Sequence, residues 1–229
     1  MPADLRPPLY VDLDGTLLAT DMLWESLIFV SRHHPRALPG IFLELRNGKA
    51  PFKEALARET KLVASELPYR ESVLTFLQQE KANGRRLILA TATHKNTAQD
   101  IANHLTLFDE VLATTSERNL RGIVKRDAIL AHAQGSYEYL GDSRVDLPIW
   151  QSAARAHAVL QNDRSWDQAV PASIRGEVFF HSGSRIKELL RAMRPYQWAK
   201  NILLFLPLFL SHTFNDTSKL LSAGIAFLS

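Results

Sequence analysis

Leu9-Tyr10-Val11-Asp12-Leu13-Asp14-Gly15-Thr16 is the stretch on which the reading turns. Residues 9–13 form a short apolar run, a strand candidate, interrupted at its carboxyl end by Asp12. Asp14 follows two residues later, and Gly15 lets the chain turn tightly beside them.

Outward from there the periodicity changes twice. Residues 19–83 read as helices. Met22, Leu23, Leu27, Ile28 and Val30 make one apolar stripe, Ile41, Phe42 and Leu45 a second, and Phe52, Leu56 and Leu62 a looser third. Pro68 opens a longer helix carrying Val73, Phe76 and Leu77, with Gly84 as its C-cap glycine. After Gly84, strands and helices alternate. Strands are predicted at 86–91, 110–114, 137–141 and 156–160, with an edge strand at 177–181. Helices are predicted at 96–105, 125–133 and 146–154. Such alternation predicts an α/β fold: a three-layer, Rossmann-like parallel sheet with helices on both faces. The expected division is a core of 1–18 and 84–183, with 19–83 inserted as a helical cap.

The polar residues gather at the predicted strand ends. Asp12 ends the first strand, Thr91 the second, Lys125 opens the helix after the third, and Asp142 follows the fourth in Gly141-Asp142-Ser143-Arg144-Val145-Asp146. Ligands of open parallel sheets bind outside the carboxyl ends of the strands. Phosphoryl transfer needs an in-line nucleophile, neutralised equatorial oxygens and an acid for the leaving group. Asp12 suits the nucleophile and Asp14 the acid, then the base for water. Magnesium takes hard oxygen ligands, so Asp12, Asp142 and a carbonyl near Asp14 could hold it. Lys125 adds positive charge, and Thr91 a hydroxyl donor. Thr93 rivals Thr91, and either could cap a helix. Arg121 or Arg126 could take the place of Lys125. Asp146 could be a helix N-cap, a metal neighbour, or both.

This set resembles the haloacid dehalogenase (HAD) superfamily of phosphatases over residues 8–183. Asp12-Leu-Asp14-Gly-Thr16 looks like its first motif, Leu89-Ala-Thr91 its second, Lys125 its third and Gly141-Asp142-xxx-Asp146 its fourth. The resemblance implies an aspartyl-phosphate on Asp12, Asp14 as acid/base, and Thr91 and Lys125 on the phosphate. It implies Mg2+ held by Asp12, Asp14, Asp142 and Asp146, a small phosphorylated substrate, and a cap over the site.

Composition supports a folded chain: 229 residues, 46% hydrophobic and 22% charged. There is no cysteine, which excludes disulfides and thiolate metal sites. A formal net charge of only +3 gives no argument for nucleic acid. Residues 1–8 show no apolar signal core, so no secretory signal is expected.

The last stretch, 184–229, has a different character. Ile186, Leu189, Leu190 and Met193 fall at helical spacing among Arg185, Lys187, Arg191 and Arg194, a basic amphipathic helix ended by Pro195. Tyr196 and Trp198 are interface-type rings. The apolar runs 202–210 and 220–228 follow, the first too short to span a bilayer. A membrane-associated segment is expected, with the preceding domain on the cytoplasmic face. Arg194-Pro195-Tyr196-Gln197-Trp198-Ala199-Lys200-Asn201 resembles the opening segment of UbiA-type membrane prenyltransferases. The aspartate-rich motifs of that family do not appear. The leading expectation is a magnesium-dependent phosphatase joined to the front of such a transferase, acting on a phosphorylated prenyl or sugar intermediate. The alternatives are a non-catalytic regulatory module of the transferase and a phosphomutase or phosphotransferase.

Overall fold

A computed structural model describes residues 6–61, 63–160, 166 and 170–180. The chain divides into two units, Met1–Ser182 and Gly183–Ser229, and the described residues all lie in the first. The expected amphipathic helix, membrane segment and prenyltransferase-like stretch at 184–229 lie outside the described residues. Among the described residues, no helix is long and apolar enough to cross a membrane.

Six parallel strands form one sheet in the order β3-β2-β1-β4-β5-β6. They are β1 (Leu9–Val11), β2 (Leu87–His94), β3 (Glu110–Thr114), β4 (Glu138–Gly141), β5 (Arg155–Leu160) and β6 (Arg175–Phe180). Side chains alternate between the faces, as the two-residue period requires. Leu9, Val11, Leu87, Leu89 and Leu140 enter one core, and Tyr10, Ile88, Ala90 and Tyr139 the other. The first core is closed by Val73 and Leu77 of α4 (Glu71–Ala82) and by Ala98, Ile101 and Ala102 of α5 (Lys95–Leu105). The second is closed by Ile129 of α6 (Ile123–Ala133) and Ile149 and Trp150 of α7 (Leu147–Trp150). The result is the three-layer α/β arrangement that the alternation predicts. Its strand order reverses direction between β1 and β4, which opens a crevice at their carboxyl ends.

Three helices between β1 and β2 form a separate small core: α1 (Met22–His33), α2 (Leu38–Leu43) and α3 (Lys49–Glu59). Val30, Ile41, Phe52 and Leu56 make its centre. The second predicted stripe holds only at Ile41, since Phe42 and Leu45 are exposed. The sequence reading also placed α4 in the cap, whereas its Val73 and Leu77 pack against the sheet. Nor does Pro68 open that helix. The two connections between sheet and helical insert run side by side as a ribbon, with Leu18 bridging Tyr69 and Ala19 N–H donating to Pro68 O at 2.9 Å. Pro68 thus lies in this ribbon, and α4 starts after Arg70. The predicted helix 146–154 shortens to Leu147–Trp150.

At the amino end of β4 a buried polar network braces the sheet. Glu138 Oε2 accepts from Arg85 Nη2 at 2.8 Å and from His157 Nε2 at 2.7 Å. His157 Nδ1 accepts from Glu177 N–H at 2.9 Å, so its proton sits on Nε2. Burial alone would raise the Glu138 carboxyl, but the His157 and Arg85 hydrogen bonds outweigh it and hold it at about 2. A depressed carboxylate stabilises the fold above its ordinary value of 4.5 and loses that contribution as pH falls towards 2. Glu138→Gln is therefore expected to cost about 3 kcal/mol at neutral pH. In denaturant melts the gap to the parent protein should narrow steadily between pH 4.5 and 2. A gap independent of pH would contradict this account.

Candidate active site

Asp12 extends β1 by one residue, its N–H donating to Leu140 O of the neighbouring β4 at 2.9 Å. The chain then makes a wide turn over Leu13–Leu17, closed by Leu18 N–H on Leu13 O at 2.9 Å. Gly15 takes φ +75° inside that turn, and a Cβ built on it would lie 2.1 Å from Asp142 Oδ2. The loop after β4 thus seats its carboxylate in the space that a side chain at 15 would fill. Gly141 serves the same close approach from the other strand: a Cβ there would lie 2.8 Å from Asp146 Oδ2.

Asp12, Asp142 and Asp146 meet in this crevice, each offering a carboxylate oxygen within 4.8 Å of the others. Lys125 faces them. It sits one turn before Ile129 on the buried side of α6, and it is 3% exposed, so the solvated-helix alternative is excluded. Its Nζ donates to Asp12 Oδ1 at 2.9 Å, stands 3.8 Å from Asp146 Oδ1, and donates to Tyr139 Oη at 3.2 Å. The Tyr139 hydroxyl in turn donates to Asp146 Oδ1 at 2.9 Å. The second Asp146 oxygen accepts from Ser143 N–H and Oγ, both at 3.2 Å, closing the loop as a capping box. Asp146 also stands where α7 begins, yet its side chain does not cap that helix.

Three carboxylates against one ammonium leave the crevice short of positive charge. Burial pushes Asp12 up to about 7; Lys125 opposes the rise, and Asp146 and Asp14 add to it. Burial, then Asp12 and Asp146, push Asp142 up to about 8. Burial would lower Lys125, but the attraction of Asp12 and Asp146 outweighs it and raises the ammonium above its ordinary value. Crowded buried carboxylates of this kind suit a divalent cation with oxygen ligands, and the glycine-made cradle for Asp142 fits the same purpose.

Asp14 is held apart from that trio. Its Oδ1 accepts from Met22 N–H, the first residue of α1, at 2.8 Å. Its Oδ2 accepts from Thr93 Oγ1 at 2.7 Å. Burial, reinforced by Asp21, raises it to about 6. Thr91 is fully buried, and its Oγ1 accepts from Thr93 N–H at 3.0 Å. The two threonines that compete in the sequence thus have different partners: Thr93 orients Asp14, and Thr91 braces the end of β2. Arg121 is exposed, and Arg126 pairs with Asp127 on the surface. The sequence reading missed Tyr139 altogether. On a strand its ring reads as core, and nothing local shows that its hydroxyl ties Lys125 to Asp146.

A model of haloacid dehalogenase-like hydrolases matches residues 9–151. The chain belongs to this family. The hydrolase is also 33% identical over 227 residues to the uncharacterized protein y4nM of Sinorhizobium fredii (strain NBRC 101917 / NGR234). That alignment takes in 99% of this chain and 44% of the other, so the chain spans less than half the length of the curated relative that it matches. Among solved structures, the hydrolase resembles a protein of unknown function from Bordetella pertussis Tohama I (TM-score 0.57, 15% identity, 76% of this chain and 98% of that one). It also resembles a probable phosphoserine phosphatase from Vibrio cholerae (TM-score 0.51, 13% identity, 76% and 62%). At such identities these likenesses speak for the fold.

Proposed function

We propose that this hydrolase cleaves phosphate monoesters, with magnesium and through an aspartyl-phosphate on Asp12. The observation that carries the reading is the division of labour between the two aspartates. Asp12 is bound to Lys125 beside two further carboxylates, and Asp14 is held separately by Thr93 and Met22. An Asp12 oxygen attacks phosphorus, and the bond from phosphorus to the leaving oxygen breaks as Asp14 delivers its proton there. Water then attacks the same phosphorus, Asp14 takes a proton from it, and the bond to Asp12 breaks, restoring the carboxylate. Lys125 compensates charge on the phosphoryl oxygens, and the Thr91 hydroxyl, on β2, supplies a second phosphate contact. Asp12, Asp142 and Asp146, with the residue 14 carbonyl, would hold Mg2+. When bound, Mg2+ supplies the positive charge that lets a carboxylate approach a phosphate dianion.

The test is phosphate release from a panel of esters by the purified chain. Chelation is expected to remove at least ~100-fold of the turnover, with magnesium restoring it. Turnover indifferent to chelation would refute the metal part.

For residues 184–229 we infer a tether to the cytoplasmic face of a membrane, as the front of a UbiA-type prenyltransferase. The basic amphipathic pattern, Tyr196, Trp198 and the Arg194–Asn201 resemblance support it, as does a relative more than twice as long as the stretch it shares. A phosphorylated prenyl or sugar intermediate is the substrate suggested by that neighbour. Cleavage of soluble sugar phosphates, with none of a prenyl-phosphoryl phosphoribose, would overturn this substrate.

A further inference from the structure

The helical insert meets the sheet through α3. Lys53 Nζ donates to Ala92 O at 2.5 Å and to Asn119 Oδ1 at 3.3 Å. Phe52, its neighbour in the chain, and Leu56 turn instead to the insert's own core, where Ile41 of α2 joins them. α2 and the turn after it, Glu44–Asn47, thus cover α3 with one side and leave another to solvent.

That open side is apolar. Phe42 is 48% exposed, Leu43 55% and Leu45 46%, and a Cβ added at Gly40 would meet nothing within 4 Å. A single exposed leucine needs no explanation, but three large apolar side chains within four residues form a patch that a partner ordinarily covers. Its surroundings are basic. From Ser31 to Ala50 there are four Arg or Lys residues and one carboxylate, Glu44, whose Oε2 accepts from Asn47 Nδ2 at 2.8 Å. Arg36, Arg46 and Lys49 are exposed, and among the described residues none of them is in an ion pair.

Charge decides between the occupants. In a two-fold pair the patch would meet its own copy and set like charges against each other. An anionic lipid surface accepts both parts: headgroup phosphates take the ammonium and guanidinium groups, and the acyl boundary takes the Phe and Leu side chains. The sequence at 185–198 combines the same elements, basic residues among Ile186, Leu189, Leu190 and Met193, then Tyr196 and Trp198.

We propose that Phe42, Leu43 and Leu45, flanked by Arg36, Arg46 and Lys49, dock the helical insert on an anionic phospholipid surface. The insert itself makes this contact, independently of the tether inferred for 184–229 and of the chemistry at Asp12.

The chain has no cysteine, so Leu43→Cys carries a single nitroxide label. The whole labelled chain is mixed with vesicles containing phosphatidylglycerol, and collisions of the label with a water-soluble nickel complex and with oxygen are read by paramagnetic resonance. Residue 43 should lose most of its accessibility to nickel and gain accessibility to oxygen. A label at Gln78→Cys, exposed on α4, should change in neither. Arg36→Gln, Arg46→Gln and Lys49→Gln combined should return most of the nickel accessibility at residue 43, and so should vesicles of phosphatidylcholine alone. Vesicles that bind the chain while residue 43 stays open to nickel would overturn the docking and leave the tether standing. No binding to vesicles at all would overturn both. Protection without vesicles would identify another occupant, a second copy if it rises with protein concentration and a segment of the same chain if it does not, and would overturn the docking too. Equal protection on charged and uncharged vesicles would overturn the anionic surface.

Discussion

Asp12→Asn is expected to lower phosphate-ester turnover by roughly 10⁴–10⁶-fold while the protein stays folded. The amide has the shape of the carboxylate and keeps an oxygen for Leu13 N–H and Lys125, both 2.9 Å from Asp12 Oδ1. It cannot form the acyl phosphate. Stability should move the other way from activity. Asp12 and Asp142 both have raised pKa values because the carboxylates share a buried crevice. Removing one charge relieves that repulsion, so the metal-free variant should melt no lower than the parent. A loss of only a few-fold in turnover would mean that Asp12 is not the attacking group. A collapse in melting temperature would mean that the site is chiefly structural.

Gly15→Ala is the second large effect, and it comes from packing, not from chemistry. The new methyl would sit 2.1 Å from Asp142 Oδ2 and 2.7 Å from Asp142 Cγ, so the whole carboxyl group must leave. The φ of +75° adds roughly 1 kcal/mol of backbone strain for any L side chain. Displacing Asp142 breaks up the carboxylate trio. We expect at least ~100-fold loss of magnesium-dependent turnover, and a magnesium-induced rise in melting temperature much smaller than in the parent. Gly40→Ala is the matched control. A Cβ at 40 meets nothing within 4 Å, and the position lies in α2, where alanine is the better helix former. Equal behaviour of the two variants would contradict the cradle for Asp142.

What the sequence revealed depended on how local the cause was. Leu9, Tyr10 and Val11 are a continuous apolar run, which suits a strand covered on both faces in the middle of a parallel sheet, and the two cores bury it on both. The position of Lys125 four residues before Ile129 puts its amine on the buried face of α6. Asp12 and Asp142 each follow a strand directly, so neighbouring strands bring them together once the order is known. The insert was less legible. Phe42 and Leu45 follow the pattern of a buried stripe yet face solvent, and the helix ends at Leu43, so that Leu45 falls in the following turn, Glu44–Asn47, outside the helical register that the stripe assumes. Pro68 fits a helix start as well as an extended ribbon, and the partner that decides, Ala19, is far off in the sequence. Tyr139, Thr93 and Lys53 have roles set by partners from other elements: Asp146, Asp14 and Ala92. No spacing rule along one strand or helix encodes such meetings.

The claim that Asp12 carries the phosphoryl group can be examined at the residue itself. The parent protein is mixed with a cleavable ester and magnesium, quenched in acid during turnover, treated with borohydride and digested for tandem mass spectrometry. An acyl phosphate on Asp12 predicts reduction of that side chain to the alcohol at residue 12, and none in protein quenched without ester. Rapid turnover with an unmodified residue 12, or with the label on another side chain, would contradict the account.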